Sequence, residues 1–281
     1  MIGGRGWGSR ILRIYLPVMG FLVLMLFPFY WMLIASIKPN RELYNAKIMP
    51  LIVYQPTLKH YYDLFADTNF LLWTYNTMLV AVITTAVSLV LGAMIAYPLA
   101  RMNFPGAAIV AIGVAATYLV PQPLLFIPMA DIINKLELGN TLSAVMLTYP
   151  TLLIPFCAWL LMGYFKSVPR ELEEAARIDG ASRFQAMWRV VLPLTTPGLL
   201  SAGIFAFTLA QNEFLYALIF LAKSEVRTVP VGAITELIRG DVFYWGQLMA
   251  AALLGSIPVA VIYSFFVDYY VAGLTAGSVK S

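Results

Sequence analysis

The chain is poor in the residues from which most catalytic and metal sites are built. It has one cysteine and one histidine in 281 residues. Cys157 alone permits no intrachain disulfide. Cys157 and His60 together fall short of the ligand set of a zinc site, so both read as bystanders. A Ser-His-Asp set would hang on His60, which lies in a polar stretch between apolar runs. No Gly-Lys dipeptide occurs anywhere, which excludes a P-loop and its phosphate-cradling lysine. Charge is scarce as well. Asp, Glu, Lys and Arg make up 11% of the chain, against about a quarter in soluble domains. The pI near 9.1 does not argue for nucleic acid, because membrane proteins gather Lys and Arg on their cytoplasmic side.

Apolar residues are abundant. They form 61% of the chain, and the mean hydropathy is +0.81. They gather into six runs, about 15–37, 77–99, 107–130, 141–165, 198–222 and 245–271. About 20 helical residues cross about 30 Å of hydrocarbon, so each run is expected to span a membrane. The first is too long for a secretory signal and reads as an uncleaved helix. Residues 1–14 form an N-terminal segment, 15–273 one membrane domain and 274–281 a short tail. Residues 36–70 mix Lys, Pro, Asn, Asp and Tyr and are expected outside the membrane, with a short amphipathic helix near 58–65. Arg5, Arg10 and Arg13 precede the first run, which puts the N-terminus in the cytoplasm. The inside segments then hold ten Lys and Arg and the outside segments eight.

Charge is concentrated in one place. Residues 167–194 read SVPRELEEAARIDGASRFQAMWRVVLPL. With the N-terminus inside, this loop (about 166–195) is cytoplasmic. Pro169 suits a helix start, and Glu171, Glu173 and Glu174 follow where the helix dipole favours negative charge. Gly180 is placed as the C′ residue that stops the helix. Ser182 and Gln185 fit a capping box for a second helix. Phe184, Met187, Trp188 and Val191 form an apolar stripe that needs a partner, in the chain's own spans or in a second chain. Pro193 is expected to end that helix. The loop therefore reads as helix, tight turn, helix. A solvated hairpin that merely joins two spans is the competing reading.

Glu174-Ala175-Ala176, three residues, Gly180, nine residues, Val190, one residue and Leu192-Pro193 resemble the EAA loop of ABC importer permeases. That family's pattern is EAA-x3-G-x9-I-x-LP, and Val190 stands where it has Ile. EAARIDGAS resembles the carbohydrate-importer permeases. FPFYWMLIASIKP, AYPLAR, NEFLYALIFL and the ending GLTAGSVKS resemble the maltose-type family, in its shorter, MalG-like branch. The resemblance implies an all-α polytopic membrane protein. It would have six transmembrane helices, the type I ABC importer permease fold and a cytoplasmic coupling helix. It also implies that Glu174, Ala175, Ala176, Gly180, Leu192 and Pro193 dock into a cleft of an ATP-binding subunit. The chain would then bind no cofactor, and ATP and Mg would sit on the partner ATPase subunits. The implied assembly is a second, related permease, two ATPases and an external solute-binding protein in the cytoplasmic (inner) membrane. The implied cargo is a carbohydrate.

A transport path should show as polar groups within spans. Gln211, Asn212 and Glu213 stand in the fifth run. Glu213 reads either as a pathway group or as an interhelical hydrogen-bond anchor. Pro121-Gln122-Pro123 interrupts the third run, as a hinge, a pore feature or a plain kink. Tyr118 nearby could stack on a sugar face, and Gln122 lies beside it. Two rival readings remain. One is an importer permease for a polyol, glycerol phosphate or other small solute, for which a phosphate cargo would favour Arg or Lys inside the spans. None lies in the central parts of the runs. The other is a self-sufficient secondary transporter or channel, which would show inverted repeats and several buried charges. No convincing repeat is seen, and only Glu213 lies deep.

Overall fold

A computed structural model describes residues 11–276, with side chains from 13 to 267. Most of the N-terminal segment 1–14, with Arg5 and Arg10, lies outside the described residues. So do Lys280 and most of the tail 274–281. In chain order the helices are α1 (Leu16–Ile37), α2 (Asn40–Leu43), α3 (Lys59–Asp67), α4 (Phe70–Arg101), α5 (Ala107–Tyr118), α6 (Gln122–Lys135), α7 (Leu142–Thr148) and α8 (Pro150–Ser167). They continue as α9 (Arg170–Ile178), α10 (Arg183–Ala186), a π-turn (Met187–Val191), α11 (Leu192–Leu194), α12 (Thr196–Gln211), α13 (Leu215–Phe220), α14 (Val229–Leu237) and α15 (Trp245–Ala276). Among the described residues the only β pairing is a two-residue hairpin, Ile238–Arg239 against Val242–Phe243.

Four stretches are long and apolar enough to cross a membrane unbroken: Arg13–Ile37, Phe70–Arg101, Leu142–Ser167 and Trp245–Val267. Two bent pairs bring the number to as many as six where each is counted as one span. The third apolar run, expected as one span over 107–130, is two helices. Helices α5 and α6 meet at 93° across Leu119–Pro121. Pro121 brings no N–H and disfavours the helical region for Val120, so the helix stops there. The fifth run, expected as one helix over 198–222, breaks at Asn212–Phe214 between α12 and α13. No proline marks that break. A further bend of 80° at Thr195 separates Arg183–Leu194 from α12.

The chain forms two compact units. One runs to Phe70 and includes Ala233–Ile257; the other is Leu71–Gly232 with the chain from Pro258. In the first unit, the polar stretch after α1 is folded around two buried charges. The Lys38 ammonium donates to the carbonyls of Met49 (3.1 Å) and Pro50 (2.6 Å). Glu42 accepts from the backbone N–H of Tyr54 (3.1 Å) and Gln55 (2.9 Å). His60 lies 2.7 Å from the Lys38 carbonyl, and its ring fills the space a Cβ at Gly246 would need.

In the second unit, one apolar core joins Val80 and Ala81 of α4, Val145, Leu153 and Cys157 of the fourth span, and Ala206, Phe207 and Ala210 of α12. Loop 222–229 is stitched to the start of α4. Trp73 Nε1 donates to Ser224 O (2.8 Å), and Asn76 donates to the carbonyls of Glu225 and Arg227. A second core holds Ala93, Ala96, Tyr97 and Ala100 of α4, Leu161 and Phe165 of α8, Ala202 of α12, and Met187, Val191 and Leu192 of the loop. Small residues on α4 let the helices approach, as spans without a hydrophobic drive between them require.

Where α4 crosses α8, a Cβ on Gly92 would lie 2.7 Å from Cys157 Cβ. Cys157 is thus a small residue at a helix crossing. Gly92→Val should overpack this crossing and cost about 1–3 kcal/mol. The check is the melting temperature of the detergent-purified protein. An unchanged value would mean that α4 and α8 do not pack as described.

Candidate functional site

Two places concentrate polar chemistry, the charged hairpin 168–195 and a cavity at the two span breaks. In the hairpin, α9 begins after Pro169, with Glu171 and Glu173 in its first turn. It ends in a Schellman motif. The N–H of Gly180 bonds to Arg177 O (3.1 Å), the N–H of Ala181 bonds to Ala176 O (3.0 Å), and Gly180 takes φ +91°. A left-handed residue at this position favours glycine. The capping box of the second helix is complete. Gln185 N–H donates to Ser182 Oγ (3.2 Å), and Ser182 N–H donates to Gln185 Oε1 (2.8 Å). Pro193 does not end the helix, as the sequence reading had it. Its ring displaces the carbonyl four residues back, the preceding turn widens into the π form, and the helix ends at Thr195.

The apolar stripe has two partners. Met187 and Val191 are buried against the chain's own spans. Phe184 and Trp188 are about half exposed, with ring centroids 6.1 Å apart in an edge-on arrangement. On α9, Glu174, Ala175 and Ile178 face outward, whereas Glu173 and Ala176 are partly covered. Gly180 and Pro193 are exposed. Leu192 is buried in the second core.

Glu173 turns toward the end of α4. Arg101 Nε donates to Glu173 Oε2 at 3.0 Å, Nη1 to Val168 O at 2.8 Å and Nη2 to Pro169 O at 3.4 Å. The Arg101 side chain is 3% exposed and that of Glu173 13%. The Tyr97 hydroxyl lies 2.6 Å from Glu173 Oε1 and 3.2 Å from the Arg183 carbonyl. Sequence reading missed this cluster. Its signal was in AYPLAR, where Tyr97 and Arg101 stand four apart and so on one helix face.

The second place is a cavity of about 570 Å³. Its walls include Tyr118, Gln122, Thr151, Thr208, Asn212 and Glu213. Four of the five residues singled out from the sequence for the pathway thus lie together; Gln211 is buried and is not among the lining residues. The two breaks are joined by one hydrogen bond, Gln122 Nε2 to Glu213 Oε1 at 2.6 Å. The same carboxylate caps α13, accepting from Tyr216 N–H (2.8 Å) and Ala217 N–H (3.1 Å). Asn212 Nδ2 donates to Thr208 O. Tyr118 stands half exposed, 5.8 Å from the ring of Phe156. Glu213 is therefore both an anchor and a wall residue. No group of three or more His, Cys, Asp or Glu able to hold a metal occurs among the described residues.

Glu213→Ala would strip acceptors from two N–H groups and from Gln122, each such loss costing about 1–3 kcal/mol. Glu213→Gln keeps one carbonyl oxygen and should cost less. Thermal unfolding of the two variants should rank wild type above Gln above Ala. Equal melting of all three would refute the capping role.

Comparison with known proteins gives a consistent result. Residues 88–275 match the family of binding-protein-dependent transport system inner membrane components. The sulfoquinovosyl glycerol transport system permease protein SmoH of Agrobacterium fabrum is 38% identical, over 91% of this chain and 89% of that protein. The trehalose/maltose transport system permease protein MalG of Thermococcus litoralis is 34% identical over 92% of each. In fold, the chain resembles a chain of a bacterial ABC transporter that imports the acidic polysaccharide alginate. The TM-score is 0.76 at 21% identity, covering 95% of this chain and 99% of that one.

Proposed function

Since the chain belongs to the family of binding-protein-dependent transport system inner membrane components, we propose that it is the permease of an ABC importer whose cargo is a neutral carbohydrate. The observation that carries the cargo is the cavity. Its lining mixes aliphatic side chains with hydroxyls, amides and aromatic rings, and its one carboxylate is already held by three internal hydrogen bonds. Neither Lys nor Arg is among the lining residues, so a phosphate would find no cation to bind there. The volume falls within the range of small-molecule sites, about 300–1,000 Å³. Tyr118 offers a face on which a sugar could stack, and Gln122 and Asn212 offer amides to its hydroxyls. The SmoH and MalG comparisons support a glycan or glycoside cargo.

Energy enters from a partner. With no P-loop in the sequence, ATP and Mg belong to two ATPase subunits. Glu174, Ala175 and Gly180 form the face of the hairpin that docks on one of them. Ala175 permits close approach, and Glu174 fixes register as interface charges do. A second, related permease completes the pore. A solute-binding protein delivers cargo from outside, where the stretch folded by Lys38 and Glu42 would receive it. The hairpin and the N-terminus lie in the cytoplasm.

The test is coupling. Gly180→Val forces a β-branched residue into left-handed backbone, at about 1–2 kcal/mol. In proteoliposomes with the second permease, both ATPases and the binding protein, it should abolish uptake of labelled neutral oligosaccharide while ATP hydrolysis persists. Uptake by wild type that continues without the ATPases would overturn the importer reading.

A further inference from the structure

The hairpin is covalently joined to α8 and α12, but its closest polar attachment is to neither. It is to the end of α4, through Arg101. The guanidinium uses its three nitrogens on three oxygens at once: the carboxylate of Glu173 and the carbonyls of Val168 and Pro169. A planar fork can do this and an ammonium cannot. One turn earlier on the same face, Tyr97 meets Glu173 and the first residue of α10. The entry to the hairpin, its first helix and its second helix are thus all held by two side chains of α4. Both members of the ion pair are largely withdrawn from water. Removing either would strand a charge, so the pair holds or fails as a unit.

From this geometry we propose that Arg101, with Tyr97, is a positioning residue for coupling. It locks the hairpin to α4, so a displacement of the hairpin carries α4 along with α8 and α12. Glu173 and Glu174 then have opposite tasks although they are adjacent in sequence. Glu173 faces inward and holds the span, and Glu174 faces outward to the partner. The proposal rests on the importer reading, in which a partner moves the hairpin.

The experiment uses the assembled complex in nanodiscs, with ATP, Mg and vanadate as the only added ligands. Spin labels are placed at Met94 and Glu171, both exposed, in a Cys157→Ala background. The Met94–Glu171 distance is read without nucleotide and in the vanadate-trapped state. Wild type should give one narrow peak at the same distance in both. Arg101→Ala should lose that peak in the trapped state, as the hairpin moves without α4. The paired change Arg101→Glu with Glu173→Arg should recover more of the narrow peak than either change alone, an outcome loss of packing would not produce. If Arg101→Ala fails to assemble, Tyr97→Phe carries the test and should broaden the peak. A variant peak as narrow and as fixed as in wild type would overturn the clamp. Wild-type chain that co-purifies with no ATPase would overturn the importer reading instead, and the same preparation shows it.

Discussion

Hydrocarbon supplies no water to a peptide N–H or C=O, so a spanning chain must satisfy every backbone group itself. Unbroken helices do so automatically. The informative places in this chain are where helices stop inside an apolar run. At Asn212–Phe214 the ladder is interrupted, and the carboxylate of Glu213 supplies the acceptors that the first turn of α13 lacks. It also reaches across to Gln122, the first residue of α6 after the other break. One buried side chain therefore makes two interruptions tolerable, and a cavity can form between them. Four threonine hydroxyls on the spans are satisfied locally in the same spirit. Thr77, Thr84, Thr148 and Thr208 each donate to the carbonyl four residues earlier in their own helix.

The hairpin follows a different logic because most of its charged side chains stand exposed. Its two helices are closed by local devices, a Schellman turn at one joint and a capping box at the next. Its inner face continues the apolar packing of α4, α8 and α12. The outer face is left with Glu174, Ala175, Ile178, Phe184 and Trp188 exposed. A rigid body with one face fixed to spans and the other open is what a mechanical input to a transporter needs. Because the Arg101–Glu173 pair sits at the inner face, the hairpin need not rely on its two covalent ends alone.

The features legible in the sequence were those set by short-range chemistry. Apolar runs, the capping box and the glycine at φ +91° could each be read within a few residues. The break in the third run was signalled by Pro121, although its 93° angle was not. The break in the fifth run had no such mark, because it depends on a carboxylate whose partner Gln122 is 91 residues away. The Arg101–Glu173 pair is separated by 72 residues, and each member has an adequate local explanation, one as a span-end charge and the other as a helix-dipole residue. Leu192 was read by resemblance as a docking residue, and the structure buries it. A motif position can serve the hairpin's own packing. Gln211 shares its neighbours' polarity but not their orientation, since successive helical residues point about 100° apart.

The central claim is that α9 has an outer face for the ATPase and an inner face for its own spans. A photocrosslinker scanned from Arg170 to Ile178 in the assembled complex tests it most directly. The account predicts crosslinks to the ATPase at Glu174, Ala175 and Ile178, and none at Glu173 or Ala176. Crosslinking centred on Glu173, or equal along the helix, would contradict it.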